Sequence, residues 1–314
     1  MPGARDEFLD NIVGIRDAAN SAPLQSLAPL ASNRSANKMA DLLRRGLYVV
    51  AFNAMEDYLK SRASEHFNNL PLVSSLDFDD LPPGLRKAAV IDAIKNGVRE
   101  AGYDKSNEIQ IIRAVAGAVA STANRQQYGI HEYSVLRSGS NISADDIGAA
   151  IGRLHLDRPW DQMQSLLDTV GNVGSPIRGR FSTCLVKRNA AAHDGQPVDY
   201  TDLVEIADLA TALCFAFDVI FSAGMTRIAD NVPTADTDTR VQLAGNIVVR
   251  YVAERGNRWC RLNQNKQPFR YFASRTDAVR NALRNLQPQG VVAVLGARGE
   301  IIGWHLADLR HPHP

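Results

Sequence analysis

Apolar residues recur at helical spacing over most of the first 226 positions. Phe8, Ile12 and Ile15 mark an amphipathic helix over residues 4–19. After a Ser-, Ala- and Pro-rich stretch, Ser35 or Asn37 caps a long helix running to about residue 67. Its Met39, Leu42, Leu43, Leu47, Val50, Ala54 and Leu59 form an apolar face, and its middle is apolar nearly all round, as in the central helix of a bundle. Residues 70–83 contain Pro71, Pro82 and Pro83 among aspartates and read as a loop; helices follow over 84–101 and 106–123. Ser143, with Asp145 and Asp146 behind it, starts another helix where the dipole favours anions. Residues 161–171 read as a short helical or turn segment. Ser175-Pro176 then opens a helix through Ile177, Phe181 and Leu185 to Ala192. Asp199 or Thr201 caps a last long one over about 201–224.

The pattern then switches. Residues 231–239 are polar and lack any apolar period. Beyond them come short runs rich in Val, Ile and aromatics at 246–253, 258–262, 269–272, 291–295 and 300–304, with one helical run at 276–286. Gly256-Asn257 and Arg298-Gly299 mark tight turns. The expected fold is mainly α: a helical bundle over residues 1–228, a linker over 229–240, and a small basic α+β domain over 241–310.

Composition adds limits. The net charge of +1 gives no polyanion signal for the chain as a whole, so any such signal is local. No run of 18 apolar residues is present, which argues against a membrane span. The first twenty residues carry Asp6, Glu7, Asp10, Arg16 and Asp17 and lack the apolar core of a secretory peptide. The expectation is a cytoplasmic protein. Cys184, Cys214 and Cys260 lie far apart without C-x-x-C spacing, so they read as reduced, buried thiols, and neither a metal nor a cofactor is expected.

Candidate chemistry concentrates in residues 184–195. Arg188 and Asn189, three alanines, His193 and Gly195 read as the end of a helix stopped by glycine. Asn189 and His193 are four apart and share a face, and Arg188 lines its edge. A cation, an amide and an imidazole together suit a phosphodiester. They equally suit a helix C-terminus, where cations meet the negative end of the dipole and a histidine can cap the last carbonyls. Glu56, near a buried-looking stretch of the long helix, is either solvated or paired with a basic residue, or it orients a site residue on another helix.

The pattern Arg188-Asn189-(three residues)-His193, at the end of an apolar helix and before another long one, resembles the R-x4-6-H motif of the HEPN superfamily. The turn over 138–147, with its asparagine, and the short helix ending at Trp160 are similar to those before the motif helix in one bacterial branch of that superfamily. The resemblance implies a HEPN-like bundle and a metal-independent endoribonuclease of a bacterial toxin or phage-defence type. It also implies a homodimer whose paired motifs make one site, and an antitoxin or defence-system partner. Arg188, Asn189 and His193 would be its catalytic residues, with Glu56 in support. The alternative is a non-catalytic HEPN-like module that binds RNA or protein. Where some relatives carry a tyrosine two residues after the histidine, this chain has Gly195, so the regulation linked to that tyrosine is not implied.

The tail adds a second candidate. Residues 245–310 hold eleven Lys/Arg against four Asp/Glu. Arg250, Arg258, Arg261, Lys266, Arg270 and Arg275 alternate with Tyr251, Trp259, Phe269 and Tyr271. Basic residues among aromatics suit RNA binding by phosphate contact and stacking, with Arg258, Arg261, Lys266 and Arg270 as its expected residues. A solvated basic face over an aromatic core, or a surface for a partner or a second copy, gives the same pattern.

Overall fold

The computed structural model describes residues 3–21, 24, 34–124, 127–137, 141–172, 174–230 and 240–307. The expected linker over residues 231–239 lies outside the described residues, and the long helix starts at Arg34, which puts Ser35 and Asn37 inside it and not at its cap. Helix α1 spans Ala4–Ala19 and buries Phe8, Ile12 and Ile15, the residues its period singles out. Helix α2 spans Arg34–Val73 and continues past the expected stop, with Pro71 inside it. A proline there removes one backbone donor. The last turn still holds because Leu70 is buried and its carbonyl accepts from the Ser74 amide at 3.0 Å.

Helices α3 (Pro83–Lys87) and α4 (Ala93–Tyr103) are joined by a π segment, Ala88–Asp92, and α5 (Glu108–Ser121) folds back on α4. Helix α6 (Ala144–Gly152) starts at Ser143 as read. The Ser143 hydroxyl accepts from the Asp146 amide at 3.2 Å, and the Asp146 carboxylate accepts from the Ser143 amide at 2.9 Å. Helix α7 (Pro159–Thr169) precedes α8 (Ile177–His193). Ser175 does not cap α8; the Ile177 amide donates instead to Gln164 Oε1 of α7 at 2.8 Å. Helix α9 (Tyr200–Ala229) is buried along most of its length and packs on α1, α2, α7 and α8.

The tail forms one five-stranded mixed sheet, with strands β1 (Val249–Arg255), β2 (Arg258–Leu262), β3 (Pro268–Phe272), β4 (Val291–Leu295) and β5 (Ile301–Leu306). The order is β3-β2-β1-β4-β5, with β1 parallel to β4 and the other pairs antiparallel. Gly256 and Asn257, at φ of 57° and 59°, make the two-residue hairpin turn between β1 and β2.

One face of the sheet shares a core with the helices. Tyr251, Cys260, Leu262, Ala293 and Trp304 belong to the same apolar cluster as Phe8, Tyr58 and Phe215. The other face is covered by α10 (Arg275–Leu283), whose Ala278, Val279 and Ala282 pack on Val252, Val292 and Val294. Strand β4 is therefore buried on both faces, as its unbroken run Val291–Leu295 suits. The three cysteines are free and buried, as read. Among the described residues no helix is long and apolar enough to cross a membrane.

Two corners of this core carry buried charge. At the first, Asp218 of α9 is fully buried and accepts from Arg62 Nε at 2.6 Å, Trp304 Nε1 at 2.7 Å and the Ser222 hydroxyl at 3.1 Å. Arg62 also donates to Glu65, whose other oxygen accepts from the Ala4 amide at 3.0 Å. This one carboxylate thus joins α9, α2 and the last strand, and α1 is tied in through Glu65. The second corner is the candidate site.

Candidate functional site

The last turn of α8 presents the predicted residues. Arg188 and Asn189 are half-buried, whereas His193 is exposed. The helix stops as read. Gly195 takes a φ of +66°, and the amides of Asp194 and Gln196 both return to the Ala190 carbonyl, at 3.0 and 3.2 Å. A side chain at Gly195 would be strained at that φ and would put its Cβ 3.3 Å from the Arg45 guanidinium.

Arg188 and Asn189 sit in a ring of polar contacts drawn from three elements. Arg188 Nη1 donates to Asn189 Oδ1 at 3.2 Å, and Arg188 Nη2 donates to Asn53 Oδ1 of α2, also at 3.2 Å. Asn189 Oδ1 accepts a second bond, at 3.2 Å, from Asn141 Nδ2 in the turn before α6. Glu56, three residues after Asn53 on α2, closes the ring by accepting from the Ile142 amide. Every member is fixed by a neighbour on a different element or by the next residue. The guanidinium is not saturated: Arg188 Nε is buried with no hydrogen-bond partner among the described residues.

Glu56 is buried, and burial raises its carboxyl above the ordinary value of 4.5. The Ile142 amide, Lys60 and Arg188 pull the other way and do not offset the burial. Through the Ile142 amide, Glu56 holds the turn that carries Asn141 to Asn189. The sequence reading named neither Asn53 nor Asn141 as a site residue. Asn53 had a signal, as a lone amide in the apolar run from Leu47 to Met55. Asn141 was visible only as part of the turn.

His193 makes no hydrogen bond or ion pair among the described residues. Its ring therefore does not cap the helix by bonding a last carbonyl, and only the dipole remains of that alternative. Lys187, one turn before Ala191, pairs with Asp202 at the start of α9 and pins the α8–α9 junction. What results is a rigid cation–amide pair beside an imidazole free to meet a ligand. A phosphate oxygen is matched by the first and a proton transfer by the second.

The tail residues are dispersed differently from the reading. Arg261 and Arg270 are directly opposite on β2 and β3. Arg258 lies on the other face of β2, over the Tyr271 ring at 5.2 Å. Lys266 points back to the helices, where its ammonium donates to the Val170 carbonyl at 2.7 Å and lies 5.8 Å from the Tyr251 ring. It fastens the sheet to the end of α7 rather than joining the arginines.

Comparison of the chain with protein-family models, with curated proteins and with solved structures finds no match.

Proposed function

We propose that the chain is a metal-independent endoribonuclease, similar to the HEPN superfamily, of a bacterial toxin or phage-defence type. The observation that carries the reading is that Arg188 and Asn189 are held in a polar ring while His193, one turn on, is exposed and unpartnered. In this mechanism the RNA's own 2′-oxygen attacks the adjacent phosphorus and the 5′-oxygen leaves. His193 moves a proton to or from these oxygens. Arg188 balances charge on the phosphorane, with Asn189 and Asn53 fixing the guanidinium's orientation. Products carry a 2′,3′-cyclic phosphate and a 5′-hydroxyl.

Two copies facing each other complete the site in this reading. Apolar side chains flank it in the single chain: Val186 of α8 and Val50 of α2 are 69% and 52% exposed, and Met39 and Leu43 continue the α2 stripe. Such a stripe suits burial against a second copy. An antitoxin or defence-system protein is a further partner of the same proposal.

A second reading has its own support. Both terminal nitrogens of Arg188 bond within the fold, as in a purely structural arginine, which suits a non-catalytic module that binds RNA or protein. Incubating labelled RNA with the protein in the presence of EDTA separates the two. The enzyme reading expects cleavage that persists in EDTA and is lost in His193→Ala; equal products from both proteins overturn it.

A further inference from the structure

The β2–β3 side of the sheet carries arginines that no ion pair among the described residues neutralises. Arg250, Arg261 and Arg270 stand on three successive strands and on the face that α10 only partly covers. Arg250 is consumed by the end of α10, donating to the carbonyls of Ala282 and Arg284 at 2.6 Å each and to that of Asn285 at 3.2 Å. Arg261 donates to Asn281 Oδ1 at 3.0 Å, and its Nε is buried with no hydrogen-bond partner among the described residues. Arg270 is exposed at the sheet's edge. None of the three has an ion pair among the described residues. Burial and its two arginine neighbours together push the Arg261 guanidinium below its ordinary value.

Like charges directly opposite each other in a sheet are destabilising. A charged edge does protect a strand from unwanted pairing, but one arginine on β3 achieves that without a facing one on β2. The cluster therefore has the character of an anion site, neutral only when occupied.

Two aromatic rings border it. Phe269 on the outermost strand is 53% exposed. Arg261 lies over the Phe269 ring at 4.8 Å and Arg270 over Phe272 at 5.4 Å. Phe269 sits where the β2–β3 register shifts, so a bulge turns this ring out of the regular alternation. Phosphate-binding cations next to exposed rings fit a chain of phosphates whose bases are free to stack. Bases within a duplex are not free in this way.

We propose that the β2–β3 edge is a binding site for a single-stranded polynucleotide, with Arg261 and Arg270 on its phosphates and Phe269 stacking a base. This site is separate from the α8 residues and does not depend on whether they cleave RNA.

The test uses the full chain carrying His193→Ala, so that the probe survives even if the α8 site is active. Fluorescence anisotropy follows binding of an oligouridylate of about twelve nucleotides, long enough for one small domain, beside the matching oligothymidylate and a duplex of equal length. Expected are binding of the single strands in preference to the duplex, and about tenfold weaker binding by Phe269→Leu. Arg270→Gln should reduce the slope of log affinity against log salt by about 0.7. Both substituted residues are exposed, and unchanged melting confirms that the fold is intact. Tighter binding of uridylate than of thymidylate identifies RNA as the ligand, and the reverse identifies DNA. No binding of either strand overturns the proposal, as do a duplex bound equally well or variants that bind like the parent.

Discussion

Asp218 and Glu56 are both buried carboxylates, and they are held in opposite ways. Asp218 receives a guanidinium, an indole and a hydroxyl. With Arg62 beside it, the carboxyl is held far below the ordinary carboxylate range despite complete burial. Glu56 receives a single backbone amide, and burial raises it. The first corner is saturated, joins helices to sheet, and leaves nothing over for a ligand. The second is closed by amides, leaves Arg188 Nε unused and ends in an unpartnered His193. A fold needs the first kind of corner for cohesion; a site needs the second, where polar groups are placed but not consumed.

The strongest way to break this contrast is Asp218→Ala. Removing one partner of a buried pair leaves Arg62 with Glu65 alone and Trp304 Nε1 without an acceptor, at a cost of about 3 kcal/mol. Denaturant unfolding should show that loss; a midpoint like the parent's would mean that Asp218 is not the tie between helices and sheet. Asn189→Ala comes next. It leaves donors on both Arg188 and Asn141 unmatched, for about 1–2 kcal/mol, and a double-mutant cycle with Asn141→Ala should show the two effects to be non-additive. Additive effects would dissolve the ring.

Acid titration sharpens the contrast because the two carboxylates act with opposite sign. Asp218 binds its proton more weakly folded than unfolded, so its contribution is present above its ordinary 3.8 and is lost as pH falls toward its lowered value. Glu56 binds its proton more tightly folded than unfolded. Its contribution is full below the ordinary 4.5 and is lost as pH rises through the raised value. Glu56→Gln keeps an acceptor for the Ile142 amide and removes the titration. The variant should therefore lose less stability than the parent between mildly acid and neutral pH. Parallel stability curves would show that Glu56 is not perturbed. The smallest effect on stability belongs to His193→Ala, expected within about 0.5 kcal/mol because the ring touches no partner. A loss of 1 kcal/mol or more would restore the capping role.

Much of this was legible in the sequence. Helical spacing found α1, α8 and α9, the serine-aspartate box found the start of α6, and Gly195 marked the end of α8. The strand residues and the Gly256-Asn257 turn were equally plain, because turn chemistry and β-rich runs are local signals. What escaped is non-local. Pro71 reads as a break unless the burial of Leu70 is known. The tail reads as self-contained unless its doubly apolar run Val291–Leu295 is taken to demand cover on both faces, which α9 and α10 then supply. Asp218 stands alone in a long apolar run and gives no hint of the Trp304 indole 86 residues on. In the site, periodicity placed Asn189 and His193 on one face with Arg188 at its edge. Asn53 and Asn141 came from elements whose meeting no spacing encodes. Lys266 belonged by composition to the basic cluster and by geometry to the seam between sheet and helices.

The central claim is that the α8 corner does chemistry while the Asp218 corner holds the fold, and single-turnover cleavage of end-labelled RNA in EDTA by the parent and His193→Ala tests it most directly. The account expects 2′,3′-cyclic phosphate ends from the parent. It expects a rate about 10²–10⁴-fold lower from the variant, with unfolding midpoints that agree. Equal rates, or a rate lost only in step with stability, would contradict it.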